Sequence, residues 1–186
     1  MSKLVILALG ANLPVGDQSP SQTIKAAIVA LEQAGFAKLR CSRFWRSPAF
    51  PAGGGPEFVN ACCAAQWADS AEAALAVLHR IESDFGRRRG TRWAARSLDL
   101  DLLAVGAEVR PDAAVHDHWR NLPPECQATE TPDRLVLPHP RLQDRAFVLV
   151  PMAEVAAGWR HPRTGRTVAE MLAALPDGEV AAITPL

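Results

Sequence analysis

Apolar and polar positions alternate most clearly at Ser97-Leu98-Asp99-Leu100-Asp101-Leu102-Leu103. A period of two predicts a β-strand with one apolar and one polar face, and side chains two apart share a face. Asp99 and Asp101 therefore point the same way. Leu4 to Leu9 is apolar throughout and predicts a central strand buried on both sides. The run is short for the core of a secretory leader, and Gly10-Ala11-Asn12 ends it. Ser19-Pro20-Ser21 offers a cap and an early proline for a helix, which Ile24, Ala27, Ile28 and Leu31 continue at helical spacing and Gly35 can end. Lys38 to Ser47 reads as a second strand and Glu57 to Ala65 as a third. Ser47 to Pro56 between them is a Pro/Gly loop. It is either a plain connector or a substrate lid. It lacks the Lys-Ser/Thr and following helix of a P-loop. Asp69-Ser70-Ala71-Glu72 reads as a capping box for a helix carrying Leu75, Leu78 and Phe85.

The order strand, helix, strand, strand, helix, strand predicts an α+β chain with a ferredoxin-like βαββαβ core. Its antiparallel sheet would pack helices on one face, with the Asp99/Asp101 strand central. A C-terminal tail follows. Gln143 to Val155 reads as an apolar helix containing Pro151, Trp159 to Arg166 as a hairpin turning at Thr164-Gly165, and Thr167-Val168-Ala169-Glu170 as a second capping box. Residues 110–133, rich in proline and polar side chains, read as a surface loop inserted into a single domain of residues 1–186. Within it, His116 and His118 suit either a solvated loop or a metal pair.

Composition narrows the function. Lys plus Arg equal Asp plus Glu at 20 each, so bulk charge gives no case for nucleic acid or membrane as a partner. Cys41, Cys62, Cys63 and Cys126 show neither a zinc nor a redox spacing, as expected of free thiols in the cytoplasm. The positive charge is local. Gly86 to Arg96 holds five arginines immediately before the aspartate strand. Paired carboxylates on a strand suit Mg²⁺, and arginines in the preceding loop suit phosphate oxygens. Together they point to metal-assisted phosphoryl transfer. Phe58 and Asn60 share a strand face; they are either core and strand-end residues or a stacking ring and an amide for a flat heterocycle. His139, between Pro138 and Pro140, is either a turn residue or a phosphate contact.

These motifs carry a resemblance. Leu9-Gly10-Ala11-Asn12-Leu13, Arg46-Ser47-Pro48, Glu57-Phe58-Val59-Asn60-Ala61, Arg92-Trp93, Arg96-Ser97-Leu98-Asp99-Leu100-Asp101 and Leu137-Pro138-His139-Pro140-Arg141 through Phe147 run nearly end to end. They resemble the 6-hydroxymethyl-7,8-dihydropterin pyrophosphokinases of folate biosynthesis. The resemblance implies transfer of pyrophosphate from ATP to the pterin's hydroxymethyl group, with AMP leaving. It implies two Mg²⁺ ions on Asp99 and Asp101, and a phosphate clamp by Arg87 and Arg96 under a loop that Trp93 helps close. It further implies ATP contacts from Glu82, Arg89, Leu102, His139 and Arg145. The pterin would lie between Phe58 and Phe147, with its polar edge toward Asn60 and the segment of Ser47, Pro48 and Phe50. A cytoplasmic monomer acting on small molecules follows, the rival being a pterin- or nucleotide-binding paralogue without the reaction. Three departures stand out. Ala11 replaces the family's usual serine, the arginine loop is about one residue shorter than in some members, and residues 110–133 are far longer than the usual connection.

Overall fold

A computed structural model describes residues 1–49, 55–86, 97–127 and 129–186. Phe50, Arg87, Arg88, Arg89, Trp93 and Arg96 lie outside the described residues.

The elements run β1 (Lys3–Ala11), α1 (Pro20–Gln33), β2 (Ala37–Cys41), β3 (Trp45–Ser47), β4 (Phe58–Trp67), α2 (Ala71–Asp84) and β5 (Asp99–Val105). They continue with α3 (Ala113–Arg120), α4 (Pro124–Gln127), a 3₁₀ turn (Leu142–Asp144), α5 (Ala146–Ala156), α6 (Val168–Leu172), α7 (Asp177–Ala181) and β6 (Thr184–Pro185). The six-stranded antiparallel sheet has the order β5-β1-β4-β3-β6, with β2 also paired to β4. That is the ferredoxin-like order, with its second strand split in two. The split falls at Ser42, whose Oγ accepts the Cys62 N–H at 3.0 Å and so replaces a ladder bond.

Local chemistry explains several boundaries. Ser19 caps α1 in a capping box with Gln22, and Thr167 caps α6 in one with Glu170. At α2 the cap is Ser70, not Asp69: Ser70 Oγ accepts the Ala73 N–H at 3.0 Å, while Asp69 accepts from the Ser70 N–H. Gly35 and Gly86 follow α1 and α2 at φ +103° and +77°, a left-handed conformation that glycine adopts without strain.

Two expectations are corrected. Helices cover both faces of the sheet. Val5, Leu7, Leu9, Ala61, Cys63, Leu98, Leu100 and Leu102 pack under α1 and α2. Ile6, Cys62, Ala64, Leu103 and Ala104 pack under α5 and α6. The aspartate strand is also an edge strand, because in this order the last strand pairs only with the first. Its outer groups are nonetheless occupied: the Leu100 N–H donates to Glu82 Oε1 at 2.7 Å, and Leu103 O accepts the His139 N–H at 2.7 Å. Both bonds blunt an edge that would otherwise offer free ladder groups.

Residues 110–133 are not a loop throughout. Asp112 caps α3 through the Val115 N–H at 2.9 Å, and His116 on α3 is fully buried. His118 is exposed, so the two histidines do not form a pair. The Trp159–Arg166 turn closes at Gly165 with a single isolated bridge, Arg160 to Thr167, instead of a regular hairpin. Pro151 sits inside α5 as expected. All four cysteines are free. No helix among the described residues is long and apolar enough to cross a membrane.

Candidate active site

The end of β1 and the starts of β4 and β5 meet at one end of the sheet. Register places Asp99 opposite Gly10, and Gly10 opposite Asn60 on the other side. Asn60 is in turn opposite Trp45. Directly opposed residues share a face, so Asp99, Gly10 and Asn60 form one row across three strands. Asp101 lies one row further in, opposite Ala8. Both aspartates are half-buried on the face away from Leu98, Leu100 and Leu102.

Gly10 keeps this row open. A Cβ there would stand 3.5 Å from Asn60 Oδ1 and 3.8 Å from Phe58 Cδ1. Asn60 is buried, and its Nδ2 donates to Ser47 Oγ at 2.8 Å. That bond fixes the amide so that its oxygen faces the space above Gly10. Phe58 is half-buried beside it, two residues back on β4. Ser47 therefore orients Asn60, while Pro48 is exposed.

A second candidate ring stands at the start of α5. Phe147 is half-buried against the cluster under α5 and α6, and the Arg145 guanidinium lies 5.6 Å from its ring centroid. His139 is tied in twice: its N–H bonds Leu103 O, and its Nδ1 accepts the Arg141 N–H at 3.1 Å. With Nδ1 accepting, the neutral ring carries its proton on Nε2. Burial first, then Arg145 and Arg141, push His139 down to about 3 against the opposing pull of Asp99. The ring is thus a neutral N–H donor near the carboxylate pair.

Glu82 is buried, and one of its oxygens holds β5 through Leu100. The Leu102 side chain belongs to the core under α1 and α2. Ala11 is fully buried in the same core, so the change from serine does not face the site. Period-two reading from Asn12 back along β1 separates Gly10 from Ala11 in the same way, and would have marked Gly10 as a site residue.

A feature the motifs did not reveal lies beside α2. A groove of about 530 Å³ runs between α2 and the Arg134–Leu135 segment, lined by Leu75, His79, Arg110, Arg134 and Leu135 among others. His79 sits one turn before Glu82 on α2. Its signal in the sequence was only a histidine beside an acid, without the partner strand.

The family model for 7,8-dihydro-6-hydroxymethylpterin-pyrophosphokinase matches residues 6–157. The chain belongs to this family. It is 34% identical over 177 residues to the 2-amino-4-hydroxy-6-hydroxymethyldihydropteridine pyrophosphokinase of Pseudomonas aeruginosa, covering 95% of this chain and 94% of that one. The same-named protein of Synechocystis is 34% identical over 168 residues, 90% of this chain and 73% of that protein. Among solved structures, a Plasmodium falciparum HPPK-DHPS crystallised with pterin and p-hydroxybenzoate superposes with a TM-score of 0.64 at 11% identity. That match covers 93% of this chain and 44% of the solved one, so this member of the pyrophosphokinase family spans less than half of the two-enzyme chain and shares its fold.

Proposed function

We propose that this chain transfers the pyrophosphoryl group of ATP to the hydroxymethyl oxygen of 6-hydroxymethyl-7,8-dihydropterin, releasing AMP. The observation that carries the reading is the row Asp99–Gly10–Asn60, which puts a carboxylate and an outward amide oxygen at opposite ends of an open, glycine-floored space. The amino group and ring N–H of a pterin donate to the Asn60 oxygen, and Phe58 and Phe147 offer faces for its ring. The hydroxymethyl group then points toward Asp99, which accepts its hydrogen bond and orients the oxygen lone pair.

The donor set suits Mg²⁺: hard carboxylate oxygens from two residues on one face, with the remaining positions left for phosphate and water. Asp99 and Asp101 would hold the two ions, which when bound neutralise phosphate charge and favour attack at phosphorus. The nucleoside of ATP fits the groove beside α2, with Arg134 and His79 at its walls and Leu75 and Leu135 against the base. His139, within the electrostatic reach of both Asp99 and Arg145, donates with Arg145 to phosphate oxygens. Glu82 keeps β5 in place beneath them. Arg87, Arg89, Trp93 and Arg96 complete the phosphate clamp, Phe50 adds to the pterin pocket, and backbone at Leu102 contacts the nucleotide. In the transfer, the pterin oxygen gives up its proton to solvent and bonds to the β-phosphorus as the bond from that phosphorus to the α,β-bridging oxygen breaks. Arginines held near that bridge stabilise the charge carried away on AMP.

We take the chain to act as a single-domain monomer in the cytoplasm, on small molecules and without nucleic acid or membrane. The test is AMP formation from ATP and Mg²⁺ with and without the pterin. Pterin-dependent AMP, abolished by a chelator, is expected. ADP as product would place the attack on the wrong phosphorus. Pterin binding without any nucleotide turnover would mean a binding paralogue.

A further inference from the structure

Residues 110–133 leave the sheet and return to it at one place. The Arg110 N–H donates to Leu137 O at 2.8 Å and the Leu137 N–H to Arg110 O at 3.2 Å, so the excursion is closed by its own ends. What it brings back is α3, and α3 is bonded to the His139 segment from two directions. His116 Nε2 donates to Pro138 O at 3.0 Å, one residue before His139. The acceptor is a carbonyl, so the His116 proton lies on Nε2. Beyond His139, the Arg141 guanidinium donates from Nη1 to Arg120 O at 3.0 Å and from Nη2 to Leu122 O at 2.9 Å. These carbonyls stand at the end of α3, where a helix leaves acceptors unfilled and a cation is favoured. Arg141 is only partly exposed, and its planar fork serves both carbonyls at once.

The same Arg141 donates its backbone N–H to His139 Nδ1. The ring that the insertion steadies is therefore the ring whose tautomer Arg141 sets. A further tie holds α3 itself: Asp117 pairs with Arg163 on the 159–166 turn, through Nε at 3.1 Å and through Nη2. The insertion is thus clamped between the C-terminal turn and the nucleotide side of the site.

We propose that the 110–133 insertion is a positioning element for nucleotide binding, in which His116 and Arg141 hold His139 in place with its Nε2–H turned outward. This rests on the reading of His139 as an ATP contact. Neither His116 nor Arg141 needs to touch substrate; both act on the backbone that presents His139. The effect falls on the nucleotide and not on the pterin, because Asn60, Phe58 and Gly10 stand on strands that α3 does not brace.

The test compares His116→Leu, Arg141→Lys and Arg141→Ala with His139→Ala in the full chain. Binding of a non-hydrolysable ATP analogue with Mg²⁺, and separately of the pterin, is measured by calorimetry, and the His139 tautomer by ¹⁵N NMR. About a tenfold loss of analogue affinity is expected for Arg141→Ala and His116→Leu, with pterin affinity within about twofold. Arg141→Lys should recover little, since an ammonium cannot fork to both carbonyls. The ¹⁵N spectrum of His139 should change from a single Nε2–H tautomer to a mixture. Thermal unfolding of each variant guards against a merely unfolded chain: equal losses for both ligands would overturn the proposal. So would unchanged analogue affinity in the His116 and Arg141 variants while His139→Ala weakens it. If His139→Ala itself binds the analogue normally, the reading of His139 fails and the inference falls with it, whatever the tautomer shows.

Discussion

The two faces of the sheet use the same strands for different ends. Toward α1 and α2, β1, β4 and β5 present Val5, Leu7, Leu9, Cys63, Leu100 and Leu102, all nearly or wholly buried. On the other face the same strands present Ile6, Cys62 and Leu103 under α5 and α6, and then Gly10, Asn60, Asp99 and Asp101 at one end, outside those helices. The sealed face supplies rigidity. The half-covered face places small and polar residues where a helix does not reach. A strand period of two lets one residue serve each purpose in turn, so the site is braced by its own neighbours in sequence.

Each face can be tested separately. The largest effect is expected at Asp101: Asp101→Ala should lower kcat for AMP formation by about 10³-fold or more while leaving the thermal midpoint within a few degrees, because the change removes charge from the open face. Next, Leu100→Ala should destabilise the chain by about 3 kcal/mol in urea unfolding, with near-normal kcat per folded molecule. A large loss of kcat with normal stability would break the division between faces. Glu82→Ala strands the Leu100 N–H and should cost about 1–3 kcal/mol, with Glu82→Gln recovering most of it through the same acceptor position. Gly10→Ala should reduce pterin affinity about tenfold by calorimetry with little change in stability, since the added methyl meets Asn60 and Phe58 at van der Waals distance and fills the floor. The smallest effect concerns pH. Burial, then His116 and Arg120, push His161 down to about 4 against Asp117, so the folded chain keeps it neutral. The unfolded chain takes up that proton below about pH 6.5, so the His161 contribution to stability should be lost from there down to about pH 4. His161→Gln should flatten that part of the melting-temperature profile.

Much of this was legible from spacing alone. The Leu/Asp alternation named both faces of β5, and the cap at Ser19 and the capping box at Thr167 named two helix starts. Asp99, Asp101, Phe58, Asn60 and His139 all fall in one region. Strand order was harder to read, because alternation says which way a side chain points and nothing about what lies beside the strand. Hence the aspartate strand was expected at the centre and stands at the edge. α3 was hidden because it is short, flanked by prolines, and buries a histidine where a pattern search looks for an aliphatic residue. At α2, Asp69 and Ser70 are both good caps, and only the geometry chose Ser70. Gly10 was read as a strand breaker, although its lack of a side chain matters more for the space it leaves.

The row through Gly10 also makes the sheet a gauge. Neighbouring strands lie about 4.8 Å apart, so a carboxylate on β5 and an amide on β4 are separated by two such steps, roughly 10 Å. A fused two-ring molecule with a one-carbon arm spans that interval; a single six-membered ring reaches one end or the other. On the proposed reading, substrate length is matched to the hydrogen-bond spacing of the backbone, which sets how far apart the two strands stand.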